Sequence, residues 1–291
     1  MSAHLGRPWT VDGFTDLGDR ASHPCGLLHG GSFTVFAKLD TGGLAQFVAE
    51  VRGLDLIRSR AGVLTPVPVA GGVLPLDPGA VLLLEAIPEV PPAARTAAQW
   101  RSIGRSLATL HQARAERFGL AEFDGFFGPL PQDNAPVEAN RWPEFYARRR
   151  LAPRLRSAVD GGHLPPELAA GVDRLIERLP QLAGPEPVPS LLHGDAQQNN
   201  FLTCANGPVL LDAAPHYGHP EVDLALVDYF APVPAELFAG YREVQAIDPG
   251  FAERRELWRL FGYLAVVTVD GASAFGRPFV GRIAEAVARY R

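Results

Sequence analysis

Lysine is all but missing from this chain: of 27 basic residues only Lys38 is lysine, and the other 26 are arginine. Cysteine is scarce as well. Cys25 and Cys204 cannot form a disulfide framework, which excludes the small stapled folds and leads us to expect a reducing, cytoplasmic setting. Long apolar runs are absent. Stretches such as 81–84 and 264–267 fall far short of the ~20 residues that span a bilayer, so no membrane association is expected. No basic start followed by an apolar core opens the sequence, so no secretory signal is expected either. Strong charge is lacking. With 20% charged residues, 47% hydrophobic residues and a net charge of −5, the composition excludes a disordered chain and gives no reason to expect a nucleic-acid partner. What the sequence has in excess is glycine and proline, 30 and 27 of 291 residues, about a fifth against a usual share of roughly 12%.

These breakers are concentrated in the first ~90 residues and between Pro180 and Pro189, and they bound the periodic segments. Residues 33–39 are β-branched and aromatic between glycine pairs, and predict a strand. Leu44, Phe47, Val48, Val51, Leu54 and Ile57 recur at helical spacing, so 44–59 predicts a helix. Residues 81–87 predict a buried strand that stops at Pro88, and Pro91-Pro92 follows. Beyond it helical patterns dominate, around 100–114, 168–179, 257–264 and 279–290, with one β-like interruption at 189–214. The expectation is an α+β protein: a small β-rich N-terminal lobe over 1–88 and a larger, mostly helical lobe over 89–291.

The interruption carries the chemistry. It contains His193-Gly194-Asp195-Ala196-Gln197-Gln198-Asn199-Asn200, then two apolar runs around Asn206-Gly207, then Asp212. Asn-Gly between apolar runs predicts a hairpin pairing 201–204 with 208–211. Counted outward from Asn206, Asn200 and Asp212 then face each other at its open end. An amide oxygen and a carboxylate so placed suit a hard cation such as Mg²⁺. His-x-Asp-x-x-x-x-Asn, with a second Asp beyond a hairpin, matches the phosphoryl-transfer pattern, in which the first Asp accepts the proton of the attacking hydroxyl. Asp195 is the base on this reading, and Asn200 and Asp212 are the metal ligands. Taken singly, each of the three is more often a cap or turn residue.

At these residues the sequence resembles the fructosamine kinase family, within the wider aminoglycoside-phosphotransferase and protein-kinase-like group. The resemblance extends through Asp212-Ala-Ala-Pro-His-Tyr-Gly to Asp223-Leu-Ala, through Phe127-Gly-Pro-Leu-Pro-Gln-Asp-Asn, Trp142, Phe145 and Tyr146, and through Asp248-Pro-Gly-Phe. It implies a bilobal kinase-like fold, ATP and Mg²⁺, and phosphorylation of a hydroxyl on a small sugar-derived acceptor such as a fructosamine or other glycated amine. Two departures stand out. The family loop reads His-Gly-Asp-Leu-Trp-x-Gly-Asn, and here Ala196 to Asn199 replace its middle, which bears on the acceptor. Gly30, Gly31 and Ser32, the candidate phosphate loop, precede Lys38 too closely for a full hairpin between them.

Lys38 on its strand and Glu50 on the next helix fit the ion pair that positions the phosphates in kinases. Glu85 and Ile87, on the strand before Pro88, are placed by the resemblance at a hinge that would bind adenine. Trp142, Tyr146, His216 and Tyr217 could stack on an acceptor sugar, although aromatics at helical spacing are more often core. Arg148, Arg149 and Arg150 read as a solvated helix face. Three other functions compete: an aminoglycoside or nucleoside antibiotic phosphotransferase; a metal-dependent hydrolase using His193, Asp195, Asp212, His216, His219 and Asp223; and a non-catalytic nucleotide-binding protein, favoured by the short glycine segment.

Overall fold

The computed structural model describes residues 1–18 and 23–291. Helix α1 (Ser2–Leu5) and strands β1 (Gly13–Asp16), β2 (Cys25–Gly30) and β3 (Phe33–Asp40) lead into helix α2 (Ala45–Ala61), followed by β4 (Pro68–Pro75) and β5 (Ala80–Glu85). The five strands form one antiparallel sheet in the order β1-β2-β3-β5-β4. Helix α2 buries Phe47, Glu50, Gly53, Leu54 and Ile57, which recur every three or four residues, and Gly53 faces Pro215 of the larger part.

Two strands here had no clear signal in sequence. In β2, Cys-Gly-Leu-Leu-His-Gly has a glycine near each end and no β-branched residue. Strand β4 is broken by Ala70, Gly71 and Gly72 at φ 52°, 90° and 76°, and its pairing with β5 slips between Pro68 and Val73. Gly71 and Gly72 therefore form the irregularity in this pairing. The hairpin judged too short is complete. Six pairs run from Cys25–Lys38 to Gly30–Phe33, so Gly31 and Ser32 are its turn.

Strand β5 ends at Glu85, and an irregular stretch crosses to the larger part, where the Val90 N–H donates to the Thr203 carbonyl at 3.1 Å. Helix α3 (Ala97–His111) starts with a capping box, Thr96 and Gln99 each satisfying the other's backbone N–H. Then come β6 (Gly125–Phe127), β7 (Leu130–Gln132), α4 (Trp142–Tyr146), α5 (Ala152–Asp160), α6 (Pro166–Glu177) and α7 (Leu179–Leu182). The β interruption resolves into β8 (Ser190–Leu192), β9 (Phe201–Cys204), β10 (Gly207–Leu210) and β11 (His216–Gly218). Helices α8 (Pro220–Leu226), α9 (Ala235–Arg242), α10 (Phe251–Asp270) and α11 (Arg277–Arg289) complete the chain. Every residue of α10 from Leu260 to Val267 is buried, so this helix is the apolar axis of the larger part. No described helix is long and apolar enough to cross a membrane.

Arg150 departs from the solvated face expected of its cluster. It is buried at 1% exposure, and its guanidinium donates to the Asn134 side-chain oxygen at 2.6 Å and the Asp133 carbonyl at 2.9 Å. It pins the loop after β7 through its two terminal nitrogens, which find neutral acceptors, while its buried Nε has no partner among the described residues.

Candidate active site

A charge on the apolar face of α2 has to be paired, and Glu50 is: its Oε2 accepts from Lys38 Nζ at 3.0 Å, both side chains being buried. The same ammonium donates to Asp212 Oδ1 at 2.5 Å, joining the sheet to the larger part. Burial alone would lower the Lys38 pKa, but the two carboxylates outweigh it and hold the group above the ordinary lysine value. One cation cannot satisfy both carboxylates equally. Burial and the neighbouring Asp212 push Glu50 up, while Lys38 holds Asp212 low against its own burial. Asp212 also has φ 54°, a left-handed conformation that a non-glycine residue adopts only under constraint.

Asp195 follows β8. His193 and Gly194 donate their backbone N–H groups to the Asp223 carboxylate at 2.7 and 3.0 Å. Gly194 sits at φ 83°, and a Cβ there would come within 2.0 Å of the Ala214 carbonyl, so only glycine fits. Asp223 also meets His111 Nε2 at 3.0 Å, and His111 Nδ1 meets the Tyr241 hydroxyl at 2.7 Å. Sequence inspection missed His111, although it is one turn beyond Leu107 on the buried face of α3.

Asp195 itself is poorly satisfied. Its Oδ2 accepts one long bond from Gln197 at 3.3 Å, and its buried Oδ1 has no partner. Burial, reinforced by the nearby Asp212 charge, raises its carboxyl to about 7. Asn200 donates its amide to the Asp195 carbonyl at 2.8 Å. The hairpin register differs from expectation by one residue. Cys204 pairs with Gly207 around a turn at Ala205-Asn206, and the Leu211 N–H donates to the Asn200 carbonyl at 3.1 Å. Leu211 is therefore opposite Asn200, and Asp212 lies one residue beyond, at its left-handed turn toward Lys38.

Lys38, Glu50, Asp195, Asn200 and Asp212 line one cleft of about 450 Å³. Its other end is built by the β6–β7 hairpin and by residues around α8, α10 and the α10–α11 connection. The hairpin reaches α2, where the Gln46 amide donates to the Gly128 carbonyl at 3.0 Å.

Several expected residues are elsewhere. Gly30, Gly31 and Ser32 lie at the far end of β3, roughly 20 Å from Lys38 at the rise of a strand. There the Gly31 N–H is already taken by Asp12 Oδ2 at 2.9 Å, and Arg7 donates to the Ser32 hydroxyl at 3.2 Å. Trp142 and Tyr146 are core, at 0% and 1% exposure, with the Tyr146 hydroxyl donating to the Trp258 carbonyl at 2.7 Å. His216 is buried against the Phe145 ring, and Tyr217 pairs with Gly119, so neither lines the cleft. Glu85 and Ile87 also lie outside its lining, the Glu85 carboxylate accepting from the Val67 N–H at 2.9 Å. The hydrolytic ligand set does not assemble: among the described residues no three His, Cys, Asp or Glu converge as metal ligands. The non-catalytic reading loses its support too, because the hairpin before Lys38 is complete.

A two-part fold with a lysine–glutamate pair beneath a sheet, facing an Asp-Asn loop and a hairpin Asp, defines a protein-kinase-like phosphotransferase architecture. The profile of the fructosamine kinase family matches residues 1–288, and the chain belongs to that family. A protein of Synechocystis named a probable ketoamine kinase is 34% identical over 57% of this chain and 55% of its own length. Another of that name, from Klebsiella aerogenes, is 32% identical over 83% of this chain and 82% of its own. A crystal structure from Thermobifida fusca, provisionally named a fructosamine-3-kinase, superposes with a TM-score of 0.80 at 33% identity, covering 99% of this chain and 96% of that one. An aminoglycoside phosphotransferase in complex with ADP and hygromycin B shares the fold, with a TM-score of 0.63 at 16% identity over 99% of each chain.

Proposed function

We propose that this chain is an ATP-dependent kinase that phosphorylates a hydroxyl of a sugar-derived amine, a fructosamine or another ketoamine. One observation carries the reading: a buried aspartate with an unpartnered oxygen and an affinity for protons near neutrality shares a cleft with a doubly held lysine. A base of that strength, within reach of an acceptor hydroxyl, is what proton removal at neutral pH calls for.

In the step this supports, the acceptor O–H gives its proton to Asp195 as its oxygen bonds to the γ-phosphorus. The bond from that phosphorus to the bridging oxygen breaks, and ADP leaves with the electron pair. Asp195 then returns its proton to solvent. Lys38, kept charged by Glu50 and Asp212, faces the α and β phosphates. The adenine lies toward the main chain at Glu85–Ile87, where β5 runs out beyond the cleft lining, the position that the family resemblance implies.

The residues also fit Mg²⁺. Asn200 spends its amide N–H on Asp195, which leaves its amide oxygen for a cation, and Asp212 adds a carboxylate. Asn200 and Asp212 would hold the ion, which when bound supplies the positive charge that offsets the phosphate oxygens. Two protein oxygens suffice, because Mg²⁺ takes the rest from water and phosphate.

The test is turnover with ATP, Mg²⁺ and synthetic fructosamines and ribulosamines, read as a mass gain of one phosphate. No gain on any ketoamine, from protein that is folded, overturns the proposal.

A further inference from the structure

We propose that the acceptor end of the cleft selects a molecule carrying a single ammonium beside an apolar group, and that Asp270 and Phe275 are the residues that make this choice. The inference rests on the kinase reading for what is phosphorylated, but the ammonium site itself stands on geometry.

Among the described residues four carboxylates line the cleft. Glu50 and Asp212 pair with Lys38, Asp212 keeping its second oxygen for the Mg²⁺ cation, and Asp195 faces the reacting hydroxyl. The fourth, Asp270, ends α10 and is partly exposed, and its side chain makes no hydrogen bond or ion pair among the described residues. Among the described residues the one cation in the lining is Lys38, already committed at the opposite end. Nearby Arg277 donates to the Ala272 carbonyl and not to Asp270. The charge of Asp270 is therefore uncompensated within a walled cleft, which favours a cation from solution.

The wall around it is apolar. Phe275 is 55% exposed and Val269 45%, on a chain that buries most of its large apolar side chains. Phe275 leans on Phe230, ring centroids 5.9 Å apart, and Phe230 lies against Tyr229 at 3.9 Å. Aromatic faces beside a carboxylate suit an ammonium and an attached hydrocarbon together. One carboxylate pairs with one ammonium. A polycationic amino sugar would bring further ammonium groups that this one carboxylate cannot pair, against an apolar wall where most of their desolvation is unopposed. A ketoamine of an amino acid would bring its carboxylate toward Asp270 and be repelled. The acceptor class favoured is the ketoamine of an apolar, carboxylate-free amine.

The test has two arms, both on the full chain. In the first, calorimetry measures binding of 2-phenylethylammonium, glycine and kanamycin. The aromatic ammonium should bind, glycine should bind at least tenfold more weakly, and Asp270→Asn and Phe275→Ser should each weaken the aromatic ammonium about tenfold. Failure of wild type to bind it, or equal binding by Asp270→Asn, overturns this inference whatever the kinase activity. In the second arm, fructosyl-phenylethylamine and fructosyl-glycine are compared as acceptors. Asp270→Asn should raise KM for the former about tenfold with kcat within twofold, and shrink the preference over the latter. Phosphorylation of neither by wild type counts against the proposed function. Phosphorylation of both with one KM, or with kanamycin preferred, counts against the selectivity.

Discussion

Asp195 and Asp223 are both buried, both acidic and both attached to the same short loop, yet their surroundings drive them in opposite directions. Asp223 takes the N–H groups of His193 and Gly194 and the ring of His111, and these outweigh a burial that would otherwise raise it, so its pKa is lowered. Asp195 has one long bond from Gln197, an oxygen with no partner and a like charge nearby, so burial prevails and raises it to about 7. The saturated carboxylate holds the loop in shape. The unsaturated one is left with capacity for something not part of the chain. The difference lies in the supply of donors, not in residue type.

The sharpest way to break this comparison is to remove each carboxylate in turn. Asp195→Asn should lower kcat by about 10³-fold, within the usual span for loss of a positioned base, while the thermal midpoint holds or rises. Asp223→Ala should instead fail as a fold. It leaves His111 and two backbone N–H groups buried without an acceptor, a loss of roughly 3–5 kcal/mol read by urea melts. If Asp223→Ala were stable and Asp195→Asn were not, the division of roles would be wrong. Next in size is Lys38→Met. It takes the shared cation from Glu50 and Asp212, and should cut kcat by about 10²-fold and raise KM for ATP.

Linkage sharpens the same contrast with pH. Asp195 has its folded pKa raised, so its stability contribution is complete below its unfolded value near 4 and is lost as pH rises through about 7. Asp195→Asn should therefore gain stability over wild type at pH 8, on the order of 2–4 kcal/mol, and little at pH 4. Asp223 has its folded pKa lowered, so its contribution is present above about 4 and is lost as pH falls through the folded value. Activity should follow Asp195. The kcat/KM of the free enzyme should rise with pH through an inflection near 7, and a flat profile from 5.5 to 8.5 would remove Asp195 as the base.

The elements with their own periodicity were legible in sequence. The helix around Phe47–Ile57, the strand bearing Lys38 and the Asp195–Asn200–Asp212 order are where the pattern put them. What could not be read depended on partners distant in sequence. Trp142 and Tyr146 present aromatic faces in the sequence, but Trp258, more than a hundred residues away, encloses them in the fold. His111 gains meaning only from Asp223 and Tyr241, which are more than a hundred residues away. Nothing in the sequence singled out Asp270, and only its want of a partner among the described residues distinguishes it in the folded cleft. The one-residue slip at Asn200 arose because Gly207 is a strand residue paired to Cys204, which leaves a two-residue turn, Ala205-Asn206, in place of a three-residue one centred on Asn206.

The smallest expected effect concerns the glycine pair that looked most like a phosphate loop. Gly31 has φ 58°, and a Cβ there would meet nothing within 4 Å. Gly31→Ala should therefore cost about 1 kcal/mol of backbone strain and no collision. Because its N–H is bonded to Asp12, on a turn remote from Lys38, KM for ATP should stay within twofold of wild type. Gly194→Ala drives a methyl into the Ala214 carbonyl beside Asp195 and should abolish activity. Both glycines have positive φ, so strain alone cannot separate them. A tenfold rise in KM for ATP on Gly31→Ala would return the phosphates to this turn.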